Sequence, residues 1–314
     1  MQKRLNILLV LLTLSILWGS SFLAIKLVIQ VIPPILAFGI RFAIAGGALL
    51  LVYIINEERK RGQRNIENEQ ISKHQWKDAL ITASLIIVGG QGLLVWGTQY
   101  LSSGLTALLN STIPLWIAII AALGFKQHLT KRMILGLTAG FLGLLTLLNP
   151  FSGGSSNNST INIIGLISLT LSSIFWALGS LYSSRTHLSI SILASAGMLM
   201  LIGGIILVAS SFALGEFKSI QFSHISINLL VAYFYLIFLC TALGYVEFFW
   251  LLRVESESIA NSFAYIVPII AVFLGWALFE EPISLKILIA TGIIMVGVAL
   301  MVTSSSRSNR KITI

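Results

Sequence analysis

"GQGLLVWGTQYLSSGLTALLNSTIP" occupies residues 90–114, and "GYVEFFWLLRVESESIANSFAYIVP" occupies residues 244–268. The two stretches lie 154 positions apart, and both have glycine first, tryptophan seventh and proline last. Gly143 and Gly297 extend the match at the same offset. Because the chain contains only 7 tryptophans and 6 prolines, this coincidence indicates an internal repeat.

The early part of each half matches as well, at slightly different offsets. Trp18 pairs with Trp176 at 158, and the glycine pair 46–47 pairs with 203–204 at 157. Loop insertions between helices produce small changes of this kind. We therefore predict that the repeat covers both halves of the chain.

The composition indicates a membrane protein. Hydrophobic residues make up 56% of the 314 residues and charged residues only 10%, against about 25% in soluble domains. A membrane-spanning helix needs about 20 apolar residues. We predict ten such spans, at 7–29, 35–55, 79–99, 105–124, 133–148, 163–183, 190–214, 228–251, 258–279 and 286–303.

Five spans in each half is an odd number, so the second half must cross the membrane in the opposite sense to the first. The sequence thus predicts an all-α membrane protein with two inverted five-helix repeats. Inverted repeats are typical of secondary transporters, which bind their substrate near the middle of the membrane. We assign the first repeat to 7–148, a linker to 149–162, the second repeat to 163–303 and a tail to 304–314.

The distribution of basic residues predicts the orientation. With a cytoplasmic N-terminus, sixteen of the 20 Lys and Arg residues fall in cytoplasmic segments and two in external segments. This bias places both termini and the tail in the cytoplasm and the linker outside. The net charge of +9 is thereby explained without nucleic acid. The first segment is interpreted as a retained helix, and the charged segment 56–78 as a mobile surface loop.

Pro114 and Pro268 lie at the centres of the fourth and ninth predicted spans. Proline lacks an N–H group, so each frees the carbonyl four residues earlier, at Asn110 and Ala264. We predict hinges that expose these carbonyls to a central cavity. A static bend is the alternative, since proline is common in membrane helices.

Several polar and aromatic residues are candidates for the wall of that cavity. Gln91 lies among the glycines of the third span, where its amide needs a partner or water. Trp18 and Trp176 lie near the middle of the membrane, away from the interfaces where tryptophan is enriched. They and Tyr265 are candidates for substrate contact or a gate, with ordinary packing as the alternative.

Lys26 and Arg41 are the basic residues inside predicted spans. Arg41 lies about 10 Å below the outer boundary, where a guanidinium must face protein or water. It either caps carbonyl groups or binds an anionic substrate group. Lys26 lies closer to the outer boundary, and its ammonium either extends to the interface or faces the pathway.

Glu247 is the only acidic residue inside a predicted span. Buried carboxylates exchange protons in many transporters, so Glu247 is a candidate for proton coupling. The alternative is a structural ion pair with Arg185 or Arg253.

Motifs of enzymes are absent from the sequence: there is no HExxH, GxSxG or phosphate-binding loop, and no acidic metal cluster. We therefore expect neither an enzyme nor a bound metal or cofactor. The single cysteine, Cys240, lies in the eighth predicted span, so no internal disulfide can form.

Three stretches resemble the EamA-like family of the drug/metabolite transporter superfamily: "LWGSSFLAIK" (17–26), "LAFGIRFAIAGG" (36–47) and "SFAYIVPIIAVFLGWALFEEPIS" (262–284). The resemblance covers both repeats. The recurring positions of the family fall on Trp18, Gly19, Lys26, Arg41, Pro114, Pro268, Gly275 and Glu280. Lys126 replaces the acidic residue that often ends the fourth helix in this family.

The resemblance implies a carrier of the bacterial inner membrane, and characterised members are mostly exporters of amino acids and related metabolites. The expected partners are a small-molecule substrate and the lipid bilayer. Two alternatives stay open: efflux of cationic or hydrophobic drugs, and a membrane protein that transports nothing. Inward-facing Lys26 and Arg41 would favour an anionic or zwitterionic substrate, and Glu247 alone would favour a cation.

Overall fold

The computed structural model describes residues 2–64, 72–125, 130–148, 163–186, 191–255, 257–280 and 285–309. These residues form helices, and none of them is in a β-strand. The predicted linker 149–162 and the end of the predicted tail, 310–314, lie outside the described residues.

We give one label to the helical segments that follow one another along each predicted span. The helices are α1 (Gln2–Ile29), α2 (Pro34–Arg64), α3 (Lys73–Ala83, Ser84–Gly92 and Leu93–Thr98), α4 (Ser103–Asn110 and Ile113–Phe125), α5 (Lys131–Leu148), α6 (Ile163–Ser183), α7 (Ile192–Ala213), α8 (Ile227–Phe234, Tyr235–Leu243 and Gly244–Val254), α9 (Glu257–Ala260, Asn261–Tyr265 and Val267–Phe279) and α10 (Leu285–Asn309). Within the described chain, eight helices are long and apolar enough to cross a membrane: α1–α4 and α6–α9. α10 contains a shorter apolar stretch, Leu288–Gly297.

Glycines bring α2 and α7 into backbone contact. A Cβ atom built on Gly46 would lie 2.3 Å from the backbone nitrogen of Leu201, and one built on Gly204 would lie 2.3 Å from that of Ala43. The contact is reciprocal: an offset of 158 relates Gly46 to Gly204 and Ala43 to Leu201. The contacts therefore relate Gly46 to Gly204 at an offset of 158, one more than the 157 predicted for the glycine pairs. The same offset of 158 relates Trp18 to Trp176.

α5 and α10 pack with the same symmetry. A Cβ atom on Gly143 would lie 3.1 Å from the nitrogen of Ile294, and one on Gly297 would lie 2.7 Å from that of Gly140. The offset of 154 relates Gly143 to Gly297 and Gly140 to Ile294. Small residues allow such close approach of membrane helices. The two reciprocal contacts give the halves an approximate two-fold relation.

α3 and α8 each contain a π-helical segment at their centre, Ser84–Gly92 and Tyr235–Leu243. The wider turn leaves carbonyl oxygens available to other helices. The hydroxyl of Ser172 on α6 donates to the Gly90 carbonyl at 2.7 Å, and the indole N–H of Trp18 on α1 donates to the Cys240 carbonyl at 3.0 Å. The first helix of each half is thus bonded to the third helix of the other half.

Both mid-span prolines coincide with interruptions of the helix. In α4, a turn at Ser111 and Thr112 separates the two segments, and Pro114 follows in the first turn of the second segment. In α9, the 3₁₀ segment Asn261–Tyr265 precedes Val267–Phe279, with Pro268 in its first turn. The predicted departure from regular helix is present in both halves.

Two helices extend beyond their predicted ends. α2 continues to Arg64, so the first part of the segment 56–78 is helical rather than a loop. Its Glu, Lys and Arg residues have good helix propensity, and they follow the apolar part of the helix. α10 continues to Asn309, past the predicted boundary at 303.

The α2–α7 contact generates a stability prediction. Gly46→Ala should lower the free energy of unfolding by about 1–3 kcal/mol, because the new methyl group overlaps the α7 backbone and forces the helices apart. Gly47→Ala is the matched control: a Cβ there meets nothing within 4 Å, so the higher helix propensity of alanine should leave stability unchanged or raise it by up to about 1 kcal/mol. Thermal unfolding of the purified protein measures both. Equal stability of the two variants would contradict the packing.

Candidate functional site

A cavity lies between helices of both repeats, near the centre of the bundle. It has about 470 Å³ of space not filled by protein atoms, including the part that opens to the outside. The lining residues are Trp18, Ser21, Phe22, Ile25, Arg41, Gln91, Leu94, Asn110, Ile113, Trp176, Tyr245, Phe263 and Val267.

The two halves contribute equivalent positions to this wall. Three pairs of lining residues are related by the offsets of the repeat: Trp18 with Trp176, Gln91 with Tyr245, and Ile113 with Val267. The cavity therefore lies where the approximate two-fold relation brings the repeats together.

Arg41 breaks this symmetry. It is 3% exposed, and its Nε atom donates to the hydroxyl of Thr241 on the π-helical segment of α8. The guanidinium carbon lies 4.8 Å from the ring centre of Phe38 and 5.3 Å from that of Phe42. One of its two terminal nitrogens, Nη1, is buried and has no hydrogen-bond partner in the described part of the protein. The equivalent position in the second half is Leu199.

The two symmetry-related tryptophans also differ in their hydrogen bonds. The indole N–H of Trp18 is bonded to the Cys240 carbonyl at 3.0 Å. That of Trp176 is buried, and no acceptor for it occurs among the described residues. The same is true of the Tyr245 hydroxyl. Arg41, Trp176 and Tyr245 all line this cavity, and each has a buried polar group that no described protein atom satisfies.

Aromatic rings form one side of the site. The ring centre of Trp18 lies 4.6 Å from that of Phe263, 5.8 Å from Trp176, 5.6 Å from Tyr245 and 5.7 Å from Phe248. Trp176 and Phe263 meet Trp18 edge to face, an arrangement that stabilises aromatic clusters, and the other two rings are tilted. The cluster joins α1, α6, α8 and α9.

Glu247 is separate from the cavity wall. It is half-buried on α8, and the Thr13 hydroxyl on α1 donates to its Oε1 atom at 2.8 Å. Its Oε2 atom is buried and lacks a partner among the described residues. The hydrogen bond that the structure describes for this carboxylate is thus the one from Thr13.

The structure brings together five of the predicted substrate-contact residues: Trp18, Arg41, Gln91, Asn110 and Trp176. Lys26 is half-buried in the last turn of α1 and does not line the cavity described above. The side chain of Tyr265 lies outside the described part of the structure.

Two polar residues of the interior escaped the sequence analysis. Tyr245 lines the cavity, and applying the offset of 154 to Gln91 would have identified it. Asp78 was placed just outside the third span, but α3 begins at Lys73 and Asp78 is 5% exposed. The Tyr182 hydroxyl on α6 donates to Asp78 at 2.8 Å, so Glu247 is not the only acid inside a span. The predicted start at residue 79 was wrong because the first turn of α3 is polar and lies outside the apolar run from which the span was predicted.

The fold and the site together define a class of protein. Many apolar helices, two related halves and a polar cavity between them are the features of a multi-pass membrane transporter built from repeats.

The chain belongs to the EamA-like transporter family, whose model matches residues 5–149 and 163–303. The two matches correspond to the two repeats. The family membership confirms the resemblance noted in the sequence, and it identifies a family of transporters rather than enzymes.

Several relatives span nearly the whole chain. It is 31% identical to the uncharacterized inner membrane transporter YedA of Escherichia coli strain K12, over 92% of this chain and 88% of YedA. It is 25% identical to the uncharacterized transporter YoaV of Bacillus subtilis, covering 96% of this chain and 98% of YoaV. Protein PagO of Salmonella typhimurium is 25% identical over 98% of this chain and 99% of PagO.

One protein of known crystal structure has the same fold. The match has a TM-score of 0.63 at 15% sequence identity and covers 98% of this chain and 99% of the other. At this identity the likeness concerns the fold alone.

The hydrogen bond between Arg41 and Thr241 generates a second prediction. Thr241→Val should lower the free energy of unfolding by about 1–3 kcal/mol, since it leaves the buried Nε–H of Arg41 without its acceptor. Thr98→Val is the control: Thr98 is equally buried, but its hydroxyl donates to the Leu94 carbonyl of its own helix, so the loss should be smaller. Thermal unfolding of both variants measures the difference. Equal losses would mean that Thr241 does not stabilise Arg41.

Proposed function

We propose that this protein is a secondary transporter of the bacterial inner membrane that exports a small metabolite, an amino acid or a related compound. The main observation in support is the central cavity between the two repeats. Arg41 is the only charged residue in the described wall of this cavity. A site with this charge favours an anionic or zwitterionic substrate and disfavours a cationic drug.

Transport would proceed by alternating access, in which the two repeats move relative to each other around the cavity. The interruptions of α4 and α9 support this proposal, because a helix without regular hydrogen bonds bends at a lower free-energy cost. Pro114 and Pro268 would act as the hinges. Trp18, Arg41, Gln91, Asn110 and Trp176 would contact the substrate. Lys26 and Tyr265 are proposed as further contacts near the pathway.

Ten membrane crossings with both termini in the cytoplasm complete the proposal. α5 and α10 pack on each other through reciprocal glycine contacts, as two crossing helices do. The excess of basic residues on one side supports the orientation. The linker 149–162 would then lie outside.

Labelling of the linker tests this topology. With five crossings per repeat, a cysteine at position 157 is external while one at position 305 is cytoplasmic. With α5 and α10 outside the membrane, both cysteines lie on the same side. We expect a membrane-impermeant maleimide to label Asn157→Cys in intact cells and Ser305→Cys only after permeabilisation, each in a Cys240→Ala background. Protection of both positions in intact cells would contradict ten crossings.

Proton coupling through Glu247 is the proposed source of energy. The carboxylate is half-buried, and one of its oxygens is bonded to Thr13. Exchange of a proton there would alter its charge during the transport cycle. The contact joins α1, which lines the cavity, to α8, so the charge change acts on two helices of the site.

Metabolite profiling of the growth medium tests both export and coupling. Cells that overproduce the protein should accumulate one compound class outside, and a protonophore should reduce that accumulation. Glu247→Gln removes the ionisable group and should lower export at least about tenfold, within the effect expected of a proton-transfer residue. Glu58→Gln, at an exposed position, is the control and should export normally.

The outcomes separate the parts of the proposal. Equal export by wild type and Glu247→Gln would remove Glu247 from the mechanism and keep the exporter. Release of cationic drugs instead of metabolites would overturn the substrate class. A medium indistinguishable from that of empty cells, with the protein inserted in the membrane, would overturn export.

A further inference from the structure

We propose that Arg41, Trp176 and Tyr245 form a three-donor site for the carboxylate of a small metabolite with an apolar side chain. This inference rests on the proposed transport function and specifies the chemistry of its substrate. Nothing in the family assignment or in the names of the relatives assigns a ligand group to these side chains.

The first argument is the state of the three polar groups. Arg41 is 3% exposed, Trp176 3% and Tyr245 2%, and each contributes to the wall of the same cavity. Nη1 of Arg41, Nε1 of Trp176 and the hydroxyl of Tyr245 have no hydrogen-bond partner in the described structure. Burying a polar group without a partner is energetically unfavourable. Three such groups in one cavity indicate a ligand that accepts hydrogen bonds.

The rings place two of the donors side by side. The ring centres of Trp176 and Tyr245 are 6.0 Å apart. Phe42 is close to both Tyr245 and the guanidinium, with its centre 5.7 Å from the tyrosine ring and 5.3 Å from the guanidinium carbon. The three donors therefore occupy adjoining parts of the wall.

The second argument is the contrast between the symmetry-related residues. The Trp18 indole N–H is occupied by a backbone carbonyl of α8, whereas the Trp176 indole N–H is unoccupied by described protein atoms. Arg41 corresponds to Leu199, and Tyr245 corresponds to Gln91. The two-fold relation therefore does not repeat these donors at the equivalent positions, and this asymmetry gives a bound ligand a defined orientation.

The charge of the site specifies a carboxylate rather than a phosphate. Arg41 is the only charged residue among those that form the described wall. One guanidinium compensates a single negative charge and matches the planar geometry of a carboxylate. A phosphate with two negative charges would keep an uncompensated charge in a membrane interior, at a high free-energy cost.

Apart from the neutral polar residues Ser21, Gln91 and Asn110, the remaining wall is apolar and favours an apolar body for the ligand. Trp18, Phe22 and Phe263 supply aromatic surface, and Ile25, Leu94, Ile113 and Val267 supply aliphatic surface. Burial of an aliphatic or aromatic side chain against this surface is favourable. The site should therefore accept leucine- and phenylalanine-like carboxylates and exclude larger dianions.

Binding to matched probes tests the proposal. The purified full-length protein is titrated with L-leucine, L-phenylalanine, their amides and phenethylamine, and the ligand-dependent rise in unfolding temperature is measured. At least one carboxylate should stabilise the wild type, and its amide and phenethylamine should bind at least about tenfold more weakly. Trp176→Phe and Tyr245→Phe each remove one donor and keep the ring. Each should weaken carboxylate binding about tenfold, the loss of one hydrogen bond to a charged group.

Tyr100→Phe and Trp116→Phe are the controls. Tyr100 packs edge-on against Trp96 with ring centres 5.2 Å apart, and Trp116 packs edge-on against Phe141. Neither lines the cavity, so carboxylate affinity should stay within about twofold of the wild type.

Three results would overturn the site: amides that bind as well as carboxylates, donor-deleted variants that bind normally, or a complete lack of binding by both amino acids. Failure of transport itself looks different. Export of a compound without a carboxylate would keep the transporter and remove the carboxylate site. Carboxylate binding without export would keep the site and remove the transporter.

Discussion

The buried guanidinium of Arg41 is the constraint around which the centre of this protein is arranged. A positive charge among membrane helices is costly unless polar groups or aromatic rings surround it. Here the hydroxyl of Thr241 accepts one N–H and the rings of Phe38 and Phe42 face the cation. These contacts satisfy part of the guanidinium, whereas Nη1 is buried without a hydrogen-bond partner in the described structure, and Arg41 lines the cavity. The π-helical segment of α8 contributes by placing Thr241 there.

The second organising feature is the relation between the two halves. The reciprocal contacts of Gly46 with α7 and of Gly204 with α2 fix the halves in backbone contact, and Gly143 and Gly297 do the same at α5 and α10. This symmetry explains why the cavity has matched walls. We attribute the function to the residues of the cavity that do not obey this symmetry. Arg41 corresponds to Leu199 in the other half, and among the described residues only Trp18 of the two tryptophans has its indole N–H bonded to a backbone carbonyl.

Much of this arrangement could be predicted from the sequence, because rare residues that recur at a constant offset reveal the internal repeat. The offsets of tryptophan and proline identified the repeat, and the charge of Arg41 at membrane depth identified a residue that needs protein or water around it. The π-helical segments could not be predicted, since their hydrogen bonds depend on partners such as Trp18 and Ser172 from the other half. The direction of the Lys26 side chain could not be predicted either. The sequence gives its position along α1, but the direction of the side chain depends on how α1 packs. Asp78 was missed because a polar first turn conceals the start of a buried helix.

The most direct test of the central claim compares stability and transport in Arg41→Met. If the charge of Arg41 is retained for the substrate, methionine should remove the free-energy cost of burying it, so the unfolding temperature should stay equal or rise. Export by the same variant should be abolished. A clear loss of stability, with export per folded molecule preserved, would show that Arg41 is a structural residue and would contradict the account.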